Sequence, residues 1–171
     1  MVLLAATAHA DVNDFKISNY DISYTLNRDQ EKRSVLQTRE VITAQFPMHD
    51  QNRGIERYIP RSYDGHDTSL EIISVADESQ NQLEYTTYSS GEYTVVRIGN
   101  ANRYVHGEQT YVLTYTQRDV TKSFSDTKSD EFYWDTNGTE WRVPIDRLSV
   151  SLTVYESLSE ALTDQHSCFF G

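Results

Sequence analysis

From Phe15 to Leu26 the chain alternates, with Tyr20, Ile22, Tyr24 and Leu26 on one face and Asp21, Ser23 and Thr25 on the other. A two-residue period of this kind predicts a half-buried β-strand. Polar NRDQEKRS (27–34) reads as a turn. SVLQTREVITAQF (34–46) follows as a long strand of less clean phase. Leu36, Ile42, Ala44 and Phe46 share one face, but Val35 and Val41 fall on the other. A bulge, or a stretch covered on both faces, accounts for that pattern. Positions 47–67, with two prolines and two glycines, read as irregular. LEIISVA, QLEYTTYS, YTVVRIG, TYVLTYTQ, EFYWDT, TEWRVPI and RLSVSLTVY complete the strands, separated by turns such as DESQNQ and SSGE. SLSEALTDQHS (157–167) reads as one or two helical turns or as a linker.

Short strands joined by polar turns predict an all-β fold. The expected architecture is an antiparallel β-sandwich of about 8–10 strands, Ig-like in general architecture. WDTNGTEW (134–141) predicts a tight hairpin. Asn137-Gly138 suits a type I′ turn, which needs φ > 0 at both central residues. Trp134 then faces Trp141 and Asp135 faces Glu140. The tryptophan pair favours the hairpin, and the opposed carboxylates disfavour it by a similar roughly 0.2–1 kcal/mol.

Composition narrows the function. The 171 residues include twelve tyrosines and carry a formal charge of −11. A chain so acidic does not suit nucleic acid, whose phosphates need a basic face, and an anionic membrane surface does not attract it by charge. MVLLAATAHA ends in Ala8-His9-Ala10, the pattern of a secretory signal cut after Ala10. The expected organisation is a signal-peptide remnant at 1–10, an exported β-sandwich at 11–157, and a tail at 158–171. The one cysteine, Cys168, either pairs with a cysteine beyond this segment or stays free. Both readings imply that the natural chain continues past Gly171.

Candidate chemistry is sparse. Asp130, Glu131, Asp135 and Glu140 cluster around the two tryptophans, and opposed hairpin carboxylates can approach within roughly 5 Å, near the separation in retaining glycosidases. Asp135, Asn137 and Glu140 offer oxygen ligands that suit calcium as a cofactor, but lack the remainder of a calcium loop. His9, His49, His66, His106 and His166 are scattered, without transition-metal spacing. No nucleophile motif and no phosphate loop occurs. Arg53, Arg57 and Arg61 form the densest basic patch. Arg57 and Arg61 suit bidentate capture of a carboxylate or phosphate, or pairing with nearby acids such as Glu56 or Asp64. Tyr85, Tyr88, Tyr93, Tyr104, Tyr133, Trp134 and Trp141 read either as an aromatic platform or as core. The candidate ligand-binding set is Arg57, Arg61, Tyr63, Trp134 and Trp141.

NYDISYTL, RGIERYIPRSYDG, VVRIGNAN, TYVLTYT and DEFYWDTNGTEWRVPI, in that order, resemble the extracytoplasmic N-terminal domain of a bacterial predicted-membrane-protein family, domain of unknown function 2207. The resemblance covers roughly Asp14 to Tyr155 and transfers no catalytic residue. It implies a signal peptide, an exported β domain, and transmembrane helices outside this segment. HSCFFG resembles the family's C-x-x-G segment, which implies a later partner for Cys168. The expectation is a non-enzymatic binding module of the cell envelope, its partner an envelope protein or glycan. The alternative is an envelope glycan hydrolase using the hairpin carboxylates.

Overall fold

The computed structural model describes residues 11–163 and 165–169. The expected signal remnant, residues 1–10, lies outside them. Twelve strands follow in order: β1 (Lys16–Arg28), β2 (Ser34–Phe46), β3 (Ile55–Pro60), β4 (Ser62–Tyr63), β5 (His66–Asp67) and β6 (Glu71–Ala76), then β7 (Tyr85–Ser90), β8 (Tyr93–Ile98), β9 (Gly107–Arg118), β10 (Lys122–Phe124), β11 (Ser129–Glu131) and β12 (Leu148–Val154). One helical turn, α1 (Glu156–Ser159), comes last.

A five-stranded sheet, ordered β12-β1-β2-β9-β6, packs against a three-stranded sheet, β3-β8-β7. The pairs β4–β5 and β10–β11 form small ribbons at one end. This is the all-β sandwich that the alternation predicts. One pairing departs from the antiparallel rule, because β12 runs parallel to β1, with Tyr20 opposite Leu148 and Tyr24 opposite Leu152. Parallel neighbours need a long connection, and here most of the domain lies between the two strands.

The core sits between the sheets. Tyr20, Ile22, Tyr24 and Leu26 of β1, Leu36, Ile42, Ala44 and Phe46 of β2, and Tyr111, Leu113 and Tyr115 of β9 meet Ile55 and Ile59 of β3 and Val96 and Ile98 of β8. The expected bulge is real but lies in β1. The register slips between Ile17 and Asn19, so Ile17 and Tyr20 both point inward although they are three apart. β2 keeps a regular phase; its inward row is Leu36, Thr38, Glu40, Ile42, Ala44 and Phe46, all buried. The pattern reads as broken because Val35 and Val41 lie half-buried on the outer face while Thr38 and Glu40 occupy core positions. Segment 47–67 is also more ordered than expected. Ile55, Arg57 and Ile59 alternate inward on β3, and Pro60 is tolerated at the end of an edge strand. EFYWDT and TEWRVPI do not form the predicted strands: Ser129–Glu131 pairs with β10, and Ile145 makes an isolated bridge to Ile17.

Gly54 and Gly99 close the end of the β3–β8 pair. Their φ values are 137° and 136°, and each backbone approaches the other so closely that a Cβ would meet a carbonyl oxygen. At Gly54 that oxygen belongs to Ile98, 1.8 Å away; at Gly99 it belongs to Arg53, 1.9 Å away. The predicted outcome is that Gly54→Ala or Gly99→Ala costs about 2–4 kcal/mol in urea unfolding. Gly91→Ala, at a turn with open space around it, costs only about 1 kcal/mol.

Candidate functional site

Glu40 projects from the middle of β2 and Arg57 from the middle of β3, so the two meet across the gap between the sheets. The pair is bidentate. Arg57 Nε donates to Glu40 Oε2 at 2.9 Å, and Nη2 donates to Oε1 at 2.9 Å. Side-chain exposure is 4% for Arg57 and 0% for Glu40. Arg57 Nη1 donates to the Tyr58 carbonyl at 2.6 Å, and the Tyr115 hydroxyl donates to Glu40 Oε1 at 2.8 Å. Burial alone would lower the pKa of Arg57, but the adjacent Glu40 carboxylate overrides it and holds the guanidinium well above its ordinary value. Burial first, and then the negative charge of Glu40, push the Tyr20, Tyr24 and Tyr115 hydroxyls well above their ordinary value.

The segment 134–141 covers this pair. Gly138 lies so close that a Cβ there would stand 3.0 Å from Arg57 Nη1. The Trp141 ring centre is 6.0 Å from Arg57 Cζ, and Tyr20 packs edge-on against the same ring at 6.0 Å. The Tyr24 hydroxyl donates to the Thr136 carbonyl at 2.8 Å, tying the segment to β1. The predicted type I′ hairpin is therefore not formed. No ladder joins its arms, and of its two central residues only Gly138 has a positive φ, 72°. Two causes act together. Closing the hairpin would oppose Asp135 to Glu140, at roughly 0.2–1 kcal/mol. Full burial of a large apolar side chain contributes on the order of 1.5–3 kcal/mol, and the lid conformation gains part of that by packing half-buried Trp141 against the core.

The remaining sequence candidates separate. Arg57 pairs with Glu40 and not with the nearby acids first considered; Glu56 pairs with Arg97, and Asp64 with Lys122. Arg61 donates to the Gly91 carbonyl at 2.6 Å and bridges to β7. Trp134 stacks on Phe132 and lies 5.6 Å from Tyr63, which meets His66 edge-on. Asp135 is exposed, Asn137 donates to its neighbour's carbonyl, and Glu140 accepts from Thr139. Among the described residues no three His, Cys, Asp or Glu side chains gather to hold a metal. Cys168 is exposed.

What the fold does present is a groove beyond the end of β9. Tyr63, Asp64, Lys122, Phe124, Glu131 and Tyr133 line a space of about 390 Å³. Tyr133 is 69% exposed. Lys122 donates to Asp64 at 2.9 Å, which raises the ammonium pKa. Burial, chiefly, raises that of Tyr63. Tyr63 is backed by Trp134, and Trp134 by Phe132, so the groove rests on a row of packed rings. Lys122, Phe124 and Glu131 were not combined from the sequence, because β4 and β10 are too short to announce themselves. A second cavity, of about 470 Å³, opens near the start of β9 between Asp77, Glu84, Arg103 and Tyr104.

Two outcomes are expected. Glu40→Gln or Arg57→Ala costs about 3–5 kcal/mol in chemical unfolding, because the remaining partner is stranded, whereas the double change Glu40→Leu with Arg57→Met recovers most of that loss. Tyr20, Tyr24, Tyr111 and Tyr115 all have folded pKa values raised above the ordinary 10.0. Their contribution is complete below pH 10 and is lost as pH rises beyond it, because the unfolded chain ionises first. Tyrosinate absorbance and circular dichroism should therefore change together, as one alkaline unfolding transition above pH 10.

No curated protein matches the chain. Solved structures show only slight likeness. Native leukotriene A4 hydrolase from Saccharomyces cerevisiae is 11% identical over 66% of this chain and 17% of its own, with a TM-score of 0.41. The M1 zinc metallopeptidase from Deinococcus radiodurans is 12% identical over 84% of this chain and 33% of its own, with a TM-score of 0.44. This chain thus spans a third or less of either protein, and the likeness is too slight to carry fold or activity across. The family comparison is of another order. The family described as predicted membrane protein (DUF2207), N-terminal domain, matches residues 16–163, from the first residue of β1 to just past α1, and the chain belongs to that family.

Proposed function

We propose that this chain is a non-enzymatic recognition module of a membrane-anchored bacterial protein, displayed outside the cytoplasm and directed at an envelope glycan. The observation that carries the reading is the groove of Tyr63, Phe124 and Tyr133 rimmed by Asp64, Lys122 and Glu131. Sugars present apolar C–H faces, which suit aromatic rings, and hydroxyls, which suit carboxylate acceptors and an ammonium donor. Pockets that combine apolar walls with a few polar groups are the usual form of small-ligand sites. The extracytoplasmic side rests on the Ala8-His9-Ala10 pattern and on membership of a predicted-membrane-protein family.

The hydrolase alternative finds less to stand on. The strongest acid–base partners, Glu40 and Arg57, are sealed from solvent, and Asp135 sits on the exposed side of an irregular lid. An envelope protein as partner remains an outcome of the test.

Titration of the chain with soluble peptidoglycan fragments, followed by tyrosine and tryptophan fluorescence, tests the reading. Saturable binding without cleavage is expected. Tyr133→Ala and Tyr63→Ala should each weaken it about five- to tenfold, near 1 kcal/mol, with the melting curve of Tyr133→Ala unchanged. Binding indifferent to both changes, or release of shortened glycan, would count against the proposal.

A further inference from the structure

The cavity near the start of β9 lies where the two sheets part. Ile98 and Gly99, at the end of β8, line one side, and Gln109 and Tyr111 of β9 line the other. Its volume, about 470 Å³, falls within the usual range for small-ligand sites, roughly 300–1,000 Å³. The walls are fixed by contacts of their own. Glu84 Oε2 accepts from Asn100 Nδ2 at 2.7 Å, and the Glu84 carbonyl accepts from the Gly99 N–H at 2.9 Å. The Tyr104 hydroxyl accepts from Arg53 Nη2 at 2.7 Å, with Arg53 Cζ 4.2 Å from the ring centre. Walls held in this way leave little ordering cost for a ligand to meet.

Tyr111 is 4% exposed. Among the described residues its hydroxyl meets no hydrogen-bond partner. Six buried side-chain polar atoms share that lack, but only Tyr111 belongs to the lining of either cavity described above. A buried hydroxyl without a partner is destabilising, and a ligand atom that bonds it removes that penalty.

The mouth carries charges of both signs. Arg103 is exposed there, with Asp77 and Glu84 as acids. Asp77 accepts two bonds from Asn81, each of 2.9 Å, and His106 is engaged with Asp50 at 2.9 Å. Among the described residues, Arg103 and Glu84 Oε1 are then the charged groups left to meet a ligand. A lone anion would face two carboxylates in a chain of formal charge −11, and a lone cation would face the guanidinium. A zwitterion answers both signs. Leu83, Ile98, Val105 and the Tyr104 ring, also in the lining, suit a flat apolar body, and the buried Tyr111 suits a hydroxyl at its far end.

We propose that this cavity binds a free aromatic α-amino acid whose ring ends in a hydroxyl. Its carboxylate meets Arg103, its ammonium meets Glu84 and its ring hydroxyl meets Tyr111. The site lies at the other end of β9 from the Tyr63–Tyr133 groove and stands independently of glycan binding there.

NMR titration of the whole chain with L-tyrosine tests this. Saturable shifts at Gly99 and Tyr111 are expected, with a Kd on the order of 0.1–1 mM. Tyrosinamide, which lacks the carboxylate, and N-acetyltyrosine, which lacks the ammonium, should each bind about tenfold more weakly. Phenylalanine should bind about three- to tenfold more weakly. Arg103→Ala should erase the preference for tyrosine over tyrosinamide, and Tyr111→Phe the preference for tyrosine over phenylalanine. Tyr111→Phe removes only a hydroxyl without a partner, so its melting curve should hold or rise. If that variant nonetheless fails to fold, Arg103→Ala decides. No shift with L-tyrosine near its solubility limit, tighter binding of either blocked analogue, or a preference that survives its own variant would each overturn the proposal.

Discussion

A carboxylate and a guanidinium stand face to face in the interior of this sandwich, and much of the surrounding structure answers to them. Removing two charges from water is costly, and only close geometry with further hydrogen bonds offsets it. Glu40 and Arg57 meet that demand with two parallel bonds between the sheets, a phenol from β9 and a backbone carbonyl from β3. The open side of the pair faces segment 134–141, which explains why that segment abandons its turn to become a lid. Gly138 suits that place, because its φ is 72° and a Cβ there would crowd the guanidinium at 3.0 Å. The tyrosines around the pair are held neutral by burial beside a fixed negative charge.

Much of the architecture was legible because a strand states its period directly. β1, β2, β6, β8, β9 and β12 all follow the alternation read from the chain. The misreadings have local causes. Val35 and Val41 on the outer face make β2 look bulged, with Thr38 and Glu40 interrupting its inward row, and two prolines and two glycines around Arg57 make β3 look like loop. The signal was present: Ile55, Arg57 and Ile59 share a phase, as do Leu36, Glu40 and Ile42. A lone acid in one inward row and a lone base in another form a pair, provided the two strands face each other. Only the fold supplies that condition.

The lid was illegible for a different reason. Asn-Gly is a strong local turn signal, and local signals yield when a distant contact contributes more. Trp141, Gly138 and Thr136 each find partners far away in sequence, on β3 and β1. The groove at Tyr63 and Tyr133 was partly visible through its aromatics. Its charged rim comes from the β4–β5 turn and two three-residue strands, which carry no readable period. The candidate residues thus divide by role: Arg57 and Trp141 hold the sheets together, Arg61 ties β7, and Tyr63, backed by Trp134, reaches the surface.

The central claim is that Arg57 is locked in the interior under the 134–141 lid. Hydrogen exchange at the arginine Nε–H, followed by NMR at neutral pH, tests it most directly. The account predicts that Arg57 Nε–H exchanges as slowly as the core amides of β2 and β9, and shows a dipolar contact with the Trp141 ring. Exchange as fast as that of the exposed Arg103, with no contact to Trp141, would contradict it.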